Sequence, residues 1–387
     1  MAAIISWECD HKIKEIVVMT NVLPSPRILL GPGPSSVAPR VLQALGRAPI
    51  GYLDPELFML LDGLRADLRT VFGTQNAFTF PLTGTGMAGM ESCLGNLVEP
   101  GDKVVIGVNG FFGGRMIEIC QRLQAEVVRV EAEWGRILEP EQFKAALQGA
   151  GKVKLVACVH AETSTGVRQP LEEIAALAHS HDALFLADAV TSLGGIPVEI
   201  DKTGVDACYS GTQKCMGAPP GLSPVTVSER AWQVASARRT PVPEWYFDWK
   251  LLRAYYDEPH AYHHTVPVNL YYALRESLAM MLEEGLEARF ARHREVSAQL
   301  IAGVAELGIQ PFAQEGYRLP TLNSVQIPAN VADEAVIRKR LLTEYGIEIG
   351  GGLGALKGRV WRIGTMGESA TRRNVTLLLA ALREVLA

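Results

Sequence analysis

Between about residue 77 and residue 210, short apolar runs alternate with stretches whose apolar residues recur at helical spacing. Ala77-Phe78-Thr79-Phe80 reads as a strand, and the turn Thr83-Gly84-Thr85-Gly86 opens a helix running to about Leu97. Lys103 to Val108 is the next strand, followed by Asn109-Gly110-Phe111-Phe112-Gly113-Gly114 and a helix through about Leu123. Residues 126 to 130 and Val153 to Val159 are further strands, Leu171 to His179 is helical, and Leu184 to Asp188 is an apolar strand ending in a carboxylate. This alternation predicts βαβ units and an α/β fold, with a mostly parallel central sheet and helices on both faces.

From about residue 270 the pattern changes. A long helical stretch, Leu270 to Leu307, carries Leu274, Leu278, Met281 and Leu282 at helical spacing. A strand (Ser324 to Ile327), a helix (Asp333 to Tyr345), two strands (Ile347 to Ile349 and Val360 to Ile363) and a terminal helix from about Ala370 follow. The expected organisation is an N-terminal arm over 1–29, a large domain over 30–280 and a smaller C-terminal α+β domain over 281–387.

Composition narrows the function classes. At 48 % hydrophobic residues the 387-residue chain can bury a large core, and its net charge of −5 with no basic block leaves no electrostatic footprint for nucleic acid. The six cysteines are scattered without a CxxC pair, which argues against zinc and against a disulfide framework and fits a reducing compartment. No apolar run reaches membrane-spanning length. Glu8, Asp10 and Glu15 are unlike an acidic-poor transit peptide, and Glu384-Val385-Leu386-Ala387 is not a peroxisomal tripeptide. The expected location is the cytoplasm.

The candidate chemistry lies in the turns after the strands, where ligands bind in parallel sheets. In Tyr209-Ser-Gly-Thr-Gln-Lys214-Cys-Met-Gly-Ala-Pro-Pro-Gly221, Lys214 follows the strand end Ala207-Cys208-Tyr209, and Gly217, Pro219, Pro220 and Gly221 stop any helix. A lysine held there can present its amine to a cofactor aldehyde, although an isolated loop lysine is ordinarily just solvated. Asp188, at the end of a buried strand, needs a partner such as a pyridinium nitrogen; an Asp there also serves as a helix cap. The helix opened by Thr85-Gly86-Met87 offers free N–H groups to a phosphate, but it is neither GxGxxG nor a P-loop. Gly31-Pro32-Gly33-Pro34 reads equally as a close-approach turn or a plain loop. His263 and His264 have no third ligand near them and read as core or interface.

Taken in order, LLGPGPS, GYLDPEL, TGTGMAGME, HAETSTGV, DAVTSLGG, YSGTQK, YHHTVPV, RLPT, GGGLG and VWRIG resemble the fold type I pyridoxal-phosphate enzymes. More narrowly, they resemble the class V aminotransferases of the alanine–glyoxylate and serine–glyoxylate (serine–pyruvate) group, from about Leu29 to the C-terminus. The resemblance implies pyridoxal 5'-phosphate as cofactor, with Lys214 as its imine-forming lysine and Asp188 as partner of the ring nitrogen. It implies Thr85, Gly86, Met87 and Gln213 around the phosphate, and Thr163 near the phenolic oxygen and the substrate. Phe112 stands where the ring-stacking residue is often Trp, and Met87 where relatives carry His or Thr. Arg362 matches the arginine that grips the substrate carboxylate. Tyr262 and Thr265 match residues that reach the neighbouring subunit's phosphate, implying a homodimer.

The implied reaction is ping-pong transfer of an amino group from a small amino acid, alanine or serine, to glyoxylate, giving glycine and a 2-oxo acid. The glycines at the entrance (Gly31, Gly33, Gly350 to Gly352) and Arg362 favour small α-amino acids. Competing readings keep the fold and change the donor to ureidoglycine, 3-hydroxykynurenine or an aminophosphonate, or change the reaction to a desulfurase- or kynureninase-type lyase. A desulfurase needs a cysteine on a mobile loop; Cys215 is beside Lys214, and the C-terminal domain has none. A non-catalytic scaffold would need neither Lys214 nor Asp188.

Overall fold

The computed structural model describes residues 25–387, so most of the expected N-terminal arm lies outside the described residues. Seven strands form the main sheet: β1 (Phe78–Thr83), β2 (Lys103–Val108), β3 (Glu126–Glu131), β4 (Leu155–Val159), β5 (Leu184–Asp188), β6 (Ala207–Tyr209) and β7 (Leu222–Val227). Their spatial order is β1-β7-β6-β5-β4-β2-β3. The pairs from β3 to β6 are parallel, as the alternation predicts. Strand β7 runs antiparallel to both β1 and β6, a departure from the parallel rule.

Every residue of β4, β5, β6 and β7 is buried. Helices cover both faces of the sheet, which is why β4, β5 and β6 read as short apolar runs. Asp188 ends β5, placed in register between Val159 of β4 and Tyr209 of β6. The helices Gly86–Leu97 and Phe111–Arg122 begin just beyond β1 and β2.

A second apolar core joins Leu30, Val296, Leu300, Trp361, Ile363, Val375 and Leu378. It packs against an antiparallel sheet of β8 (Leu322–Gln326), β9 (Gly350–Gly351) and β10 (Val360–Gly364), in the order β8-β10-β9. The described chain enters through this second core: Ile28 and Leu29 pair in parallel with Ile347 and Glu348. The single long helix expected over Leu270 to Leu307 is two, Val268–Glu284 and Leu286–Glu306. The break falls at Gly285, whose φ of +81° is one that residues with a side chain rarely adopt.

Candidate active site

Asp188 is fully sheltered at the carboxyl end of β5, and its two carboxylate oxygens have separate donors. The Val190 N–H donates to Oδ1 and the Tyr209 hydroxyl to Oδ2, each at 2.8 Å. Burial pushes its pKa up to about 7 against the pull of these two bonds and of the Lys214 cation.

Lys214 follows β6 on a loop gripped from several sides. The Ser35 hydroxyl donates to the Lys214 carbonyl at 2.6 Å, and the Ser35 N–H to the Gln213 carbonyl at 2.8 Å. The Arg289 guanidinium donates to the Cys215 carbonyl at 2.7 Å, and the Ser277 hydroxyl to the Met216 carbonyl. The Lys214 amine itself donates to the carbonyl of Pro32. Burial, aided by the Arg362 cation, lowers its pKa to about 8, so much of it is neutral in mildly alkaline solution.

Opposite stands the start of the helix Gly86–Leu97. Thr85 is its N-cap and makes no capping bond through its side chain, which leaves the hydroxyl free for a ligand. Gly86 and Met87 supply first-turn amides that a helix cannot satisfy internally. Phe112 lies in the first turn of Phe111–Arg122, anchored by its N–H to the Glu162 carboxylate at 3.2 Å. Glu162 is wholly buried and also accepts from the Ser164 N–H (3.0 Å) and hydroxyl (2.6 Å). Thr163 shares a 2.5 Å hydrogen bond with Thr191.

These groups enclose one cavity of about 170 Å³. Thr85, Gly86, Met87 and Gln213 line one part of it, Phe112 and Val190 supply apolar walls, and Thr163, Asp188 and Lys214 complete it. The Gln213 side-chain oxygen is buried with no partner, an unmet polar group beside the helix start. Arg362 does not line the cavity, but its guanidinium donates to the carbonyls of Gly351 (2.7 Å) and Thr163 (3.5 Å) directly behind it. Burial lowers its pKa to about 10, a value at which it stays cationic near neutrality.

Besides Arg362, three more of the expected site residues lie outside this cavity. Gly31 is part of a turn packed on β9 and β10: the Gly364 N–H donates to the Leu30 carbonyl at 2.8 Å, and a Cβ on Gly350 would lie 2.5 Å from Pro32. Tyr262 is 58 % exposed and leans on Tyr52 with ring centroids 5.1 Å apart. Thr265 lines a surface groove with Tyr52 and Ile50. His263 and His264 are buried, and the His264 Nε2 meets the Thr83 hydroxyl at 2.9 Å. The Cys215 thiol is buried and pushed up to about 12 by burial, so it is no nucleophile near neutral pH.

Sequence reasoning passed over Tyr209, Val190, Glu162 and Arg289. Val190 had a usable signal: an apolar residue two places beyond a strand-end Asp can share its face. Nothing local marks the other three.

The residues fit pyridoxal phosphate. A buried carboxylate suits a protonated ring nitrogen, a helix start and an unmet amide suit the phosphate, two apolar walls suit a flat ring, and a desolvated amine suits the aldehyde.

Comparison with known proteins agrees. The family Aminotransferase class-V matches residues 53–364. The chain is 39 % identical to the (S)-ureidoglycine–glyoxylate transaminase of Bacillus subtilis, over 93 % of this chain and 90 % of that protein. It is 41 % identical to the alanine–glyoxylate aminotransferase of Oryctolagus cuniculus, over 93 % and 92 %. The solved structure of an alanine–glyoxylate aminotransferase from Nostoc sp. superposes with a TM-score of 0.93 at 44 % identity, covering 95 % of this chain and 97 % of that one. The protein belongs to the class-V aminotransferase family. It is a pyridoxal-phosphate-dependent aminotransferase of fold type I.

Proposed function

We propose that the protein moves an amino group from a small L-amino acid, alanine or serine, to glyoxylate, giving glycine and a 2-oxo acid by a ping-pong mechanism. The observation that carries this reading is a buried arginine, Arg362, directly behind a small cavity that also holds a desolvated lysine. A planar guanidinium grips a carboxylate, and a cavity of only about 170 Å³ favours a short substrate side chain.

When bound, the cofactor supplies an electron sink for the carbanion at the substrate's Cα. The chain's residues do the rest. The Asp188 carboxylate would hold positive charge on the ring nitrogen, while Thr85, the amides of Gly86 and Met87, and Gln213 would hold the phosphate. Phe112 and Val190 would supply the apolar walls for the ring. The Lys214 amine would hold the cofactor's aldehyde carbon and, when free, would carry the proton to and from Cα. Its lowered pKa suits that task. Thr163, bonded to Thr191, would orient the phenolic oxygen.

The functional unit of this proposal is a homodimer. The exposure of Tyr262 (58 %), which leans on the groove-lining Tyr52, and of Trp245 (60 %), stacked on His263, supports a partner on that face. There Tyr262 and Thr265 would complete the neighbouring site.

A second reading takes (S)-ureidoglycine as donor, supported by the 39 % identity to the Bacillus subtilis transaminase. A 3-hydroxykynurenine side chain is large for the cavity, an aminophosphonate lacks the carboxylate that Arg362 suits, and the buried Cys215 disfavours a desulfurase. Single-turnover absorption spectra decide among the donors. Under the first reading, alanine or serine discharges the cofactor's visible band within seconds and glyoxylate restores it. If ureidoglycine alone discharges the band, the second reading replaces the first. If no small amino acid does, both fall.

A further inference from the structure

Tyr209, the last residue of β6, has a fully buried side chain, and its hydroxyl donates to Asp188 Oδ2 at 2.8 Å. The two residues are register neighbours in a parallel pair, so the backbone ladder itself fixes their approach. The tyrosine is also wedged from behind. A Cβ on Gly89, in the helix starting at Gly86, would lie 2.9 Å from the Tyr209 Cβ, so the helix backbone leans directly on it. An aromatic ring this confined has little freedom to withdraw its hydroxyl.

We infer that Tyr209 is a positioning residue for the reaction: its hydroxyl holds the Asp188 carboxylate in place as an anion and thereby keeps the cofactor's ring nitrogen protonated. The inference rests on the proposed role of Asp188. One proton lies between carboxylate and ring nitrogen. A hydrogen bond donated to the carboxylate stabilises the anion, and so favours the arrangement with the proton on nitrogen over the neutral carboxylic acid facing a neutral pyridine. Each carboxylate oxygen has two lone pairs, so Oδ2 can accept from Tyr209 and still face the ring. The Val190 amide does the same for Oδ1, but a backbone donor cannot be removed without moving the chain.

The surroundings make the added donor matter. The pocket around Asp188 is poor in charge: the thiols of Cys93, Cys158 and Cys208 are pushed up by burial and stay neutral, and Glu162 is a like charge. Lys214 is the cation that opposes this, and its amine turns to the Pro32 carbonyl instead. Burial, and then the Asp188 charge, raise the Tyr209 phenol well above its usual value, so it remains a donor throughout the working pH range.

The test is Tyr209→Phe in the holoenzyme, read by nitrogen-15 NMR with cofactor labelled at the ring nitrogen. Alongside it, kcat and KM for alanine are measured. The wild type is expected to show a protonated nitrogen. In Y209F the signal is expected to move toward the neutral pyridine position, with kcat falling about ten- to hundredfold, the weight of one hydrogen bond to a charged group, and KM changing far less. Since Tyr209 acts through Asp188, adding Y209F to Asp188→Asn is expected to change neither signal nor rate further. An unchanged nitrogen signal and kcat in Y209F, or fully additive losses with D188N, would overturn the inference and leave Tyr209 as packing. A neutral ring nitrogen in the wild type would instead overturn the role of Asp188 itself. Measured cofactor stoichiometry shows whether each variant assembles the site.

Discussion

Gly33 and Lys214 are in direct apposition. A Cβ on Gly33 would lie 2.5 Å from the lysine Nζ and 2.8 Å from its Cδ, and the glycine has a φ of +111°. The turn therefore sets where the amine can go. Gly33→Ala is expected to displace the lysine and strain the turn, cutting cofactor occupancy and kcat at least about tenfold, while far-UV circular dichroism stays native. Full occupancy with native kcat in G33A would show that the turn does not position the amine.

The pH dependence of cofactor capture follows from the lysine's environment. Only a neutral amine attacks an aldehyde, and the Lys214 pKa is lowered to about 8. In reconstitution of the cofactor-free protein, the rate is expected to rise about tenfold per pH unit below that point and level off above it. Stopped-flow absorbance from pH 6 to 10 measures this; a rise continuing to about pH 10, the range of an ordinary lysine, would contradict it.

Arg362 is expected to act on binding more than on chemistry. Arg362→Lys keeps the charge but loses the planar fork, so KM for both alanine and glyoxylate should rise about ten- to a hundredfold. The change in kcat should be smaller, and steady-state kinetics with each substrate varied in turn separate the two effects. A fall in kcat with KM unchanged would place the arginine elsewhere in the mechanism.

Much of this was legible in the sequence, for an identifiable reason. Asp188 ends one short apolar strand and Lys214 lies on the loop that follows another, where the chain must turn and side chains converge. The helix from Gly86 to Leu97 was bounded correctly by its Thr-Gly turn and its apolar spacing. Strand β7 was not anticipated, because it follows Pro219, Pro220 and Gly221 and contains Pro224, all of which weaken a strand signal. Gly285 broke a helix whose apolar spacing continues across it, since periodicity does not report φ. Tyr209, Glu162 and Arg289 were missed together. Each acts through a partner far away in sequence: Asp188, the Phe112 amide and the Cys215 carbonyl. Only the folded sheet brings such pairs together.

The cofactor-free protein carries a stability cost at Asp188. Its folded pKa of about 7 lies above the ordinary value near 4, so the unfolded chain holds fewer protons between those limits. The group's contribution is fully present below about pH 4 and is lost as pH rises through about 7. Asp188→Asn cannot ionise and escapes that loss. It is expected to be the more stable apoprotein at pH 8, by about 4 kcal/mol at most, with the gap closing toward pH 4.5. Urea melts at the two pH values test this, and a D188N apoprotein less stable at pH 8 would contradict it.

On this reading Lys214 is the residue to which the cofactor is covalently attached. Borohydride reduction of the purified holoenzyme, followed by proteolysis and peptide mass spectrometry, tests it most directly. The expected result is one modified peptide per chain, with the reduced cofactor's mass on Lys214. Cofactor mass on another lysine, or none in a protein saturated with pyridoxal phosphate, would contradict the account.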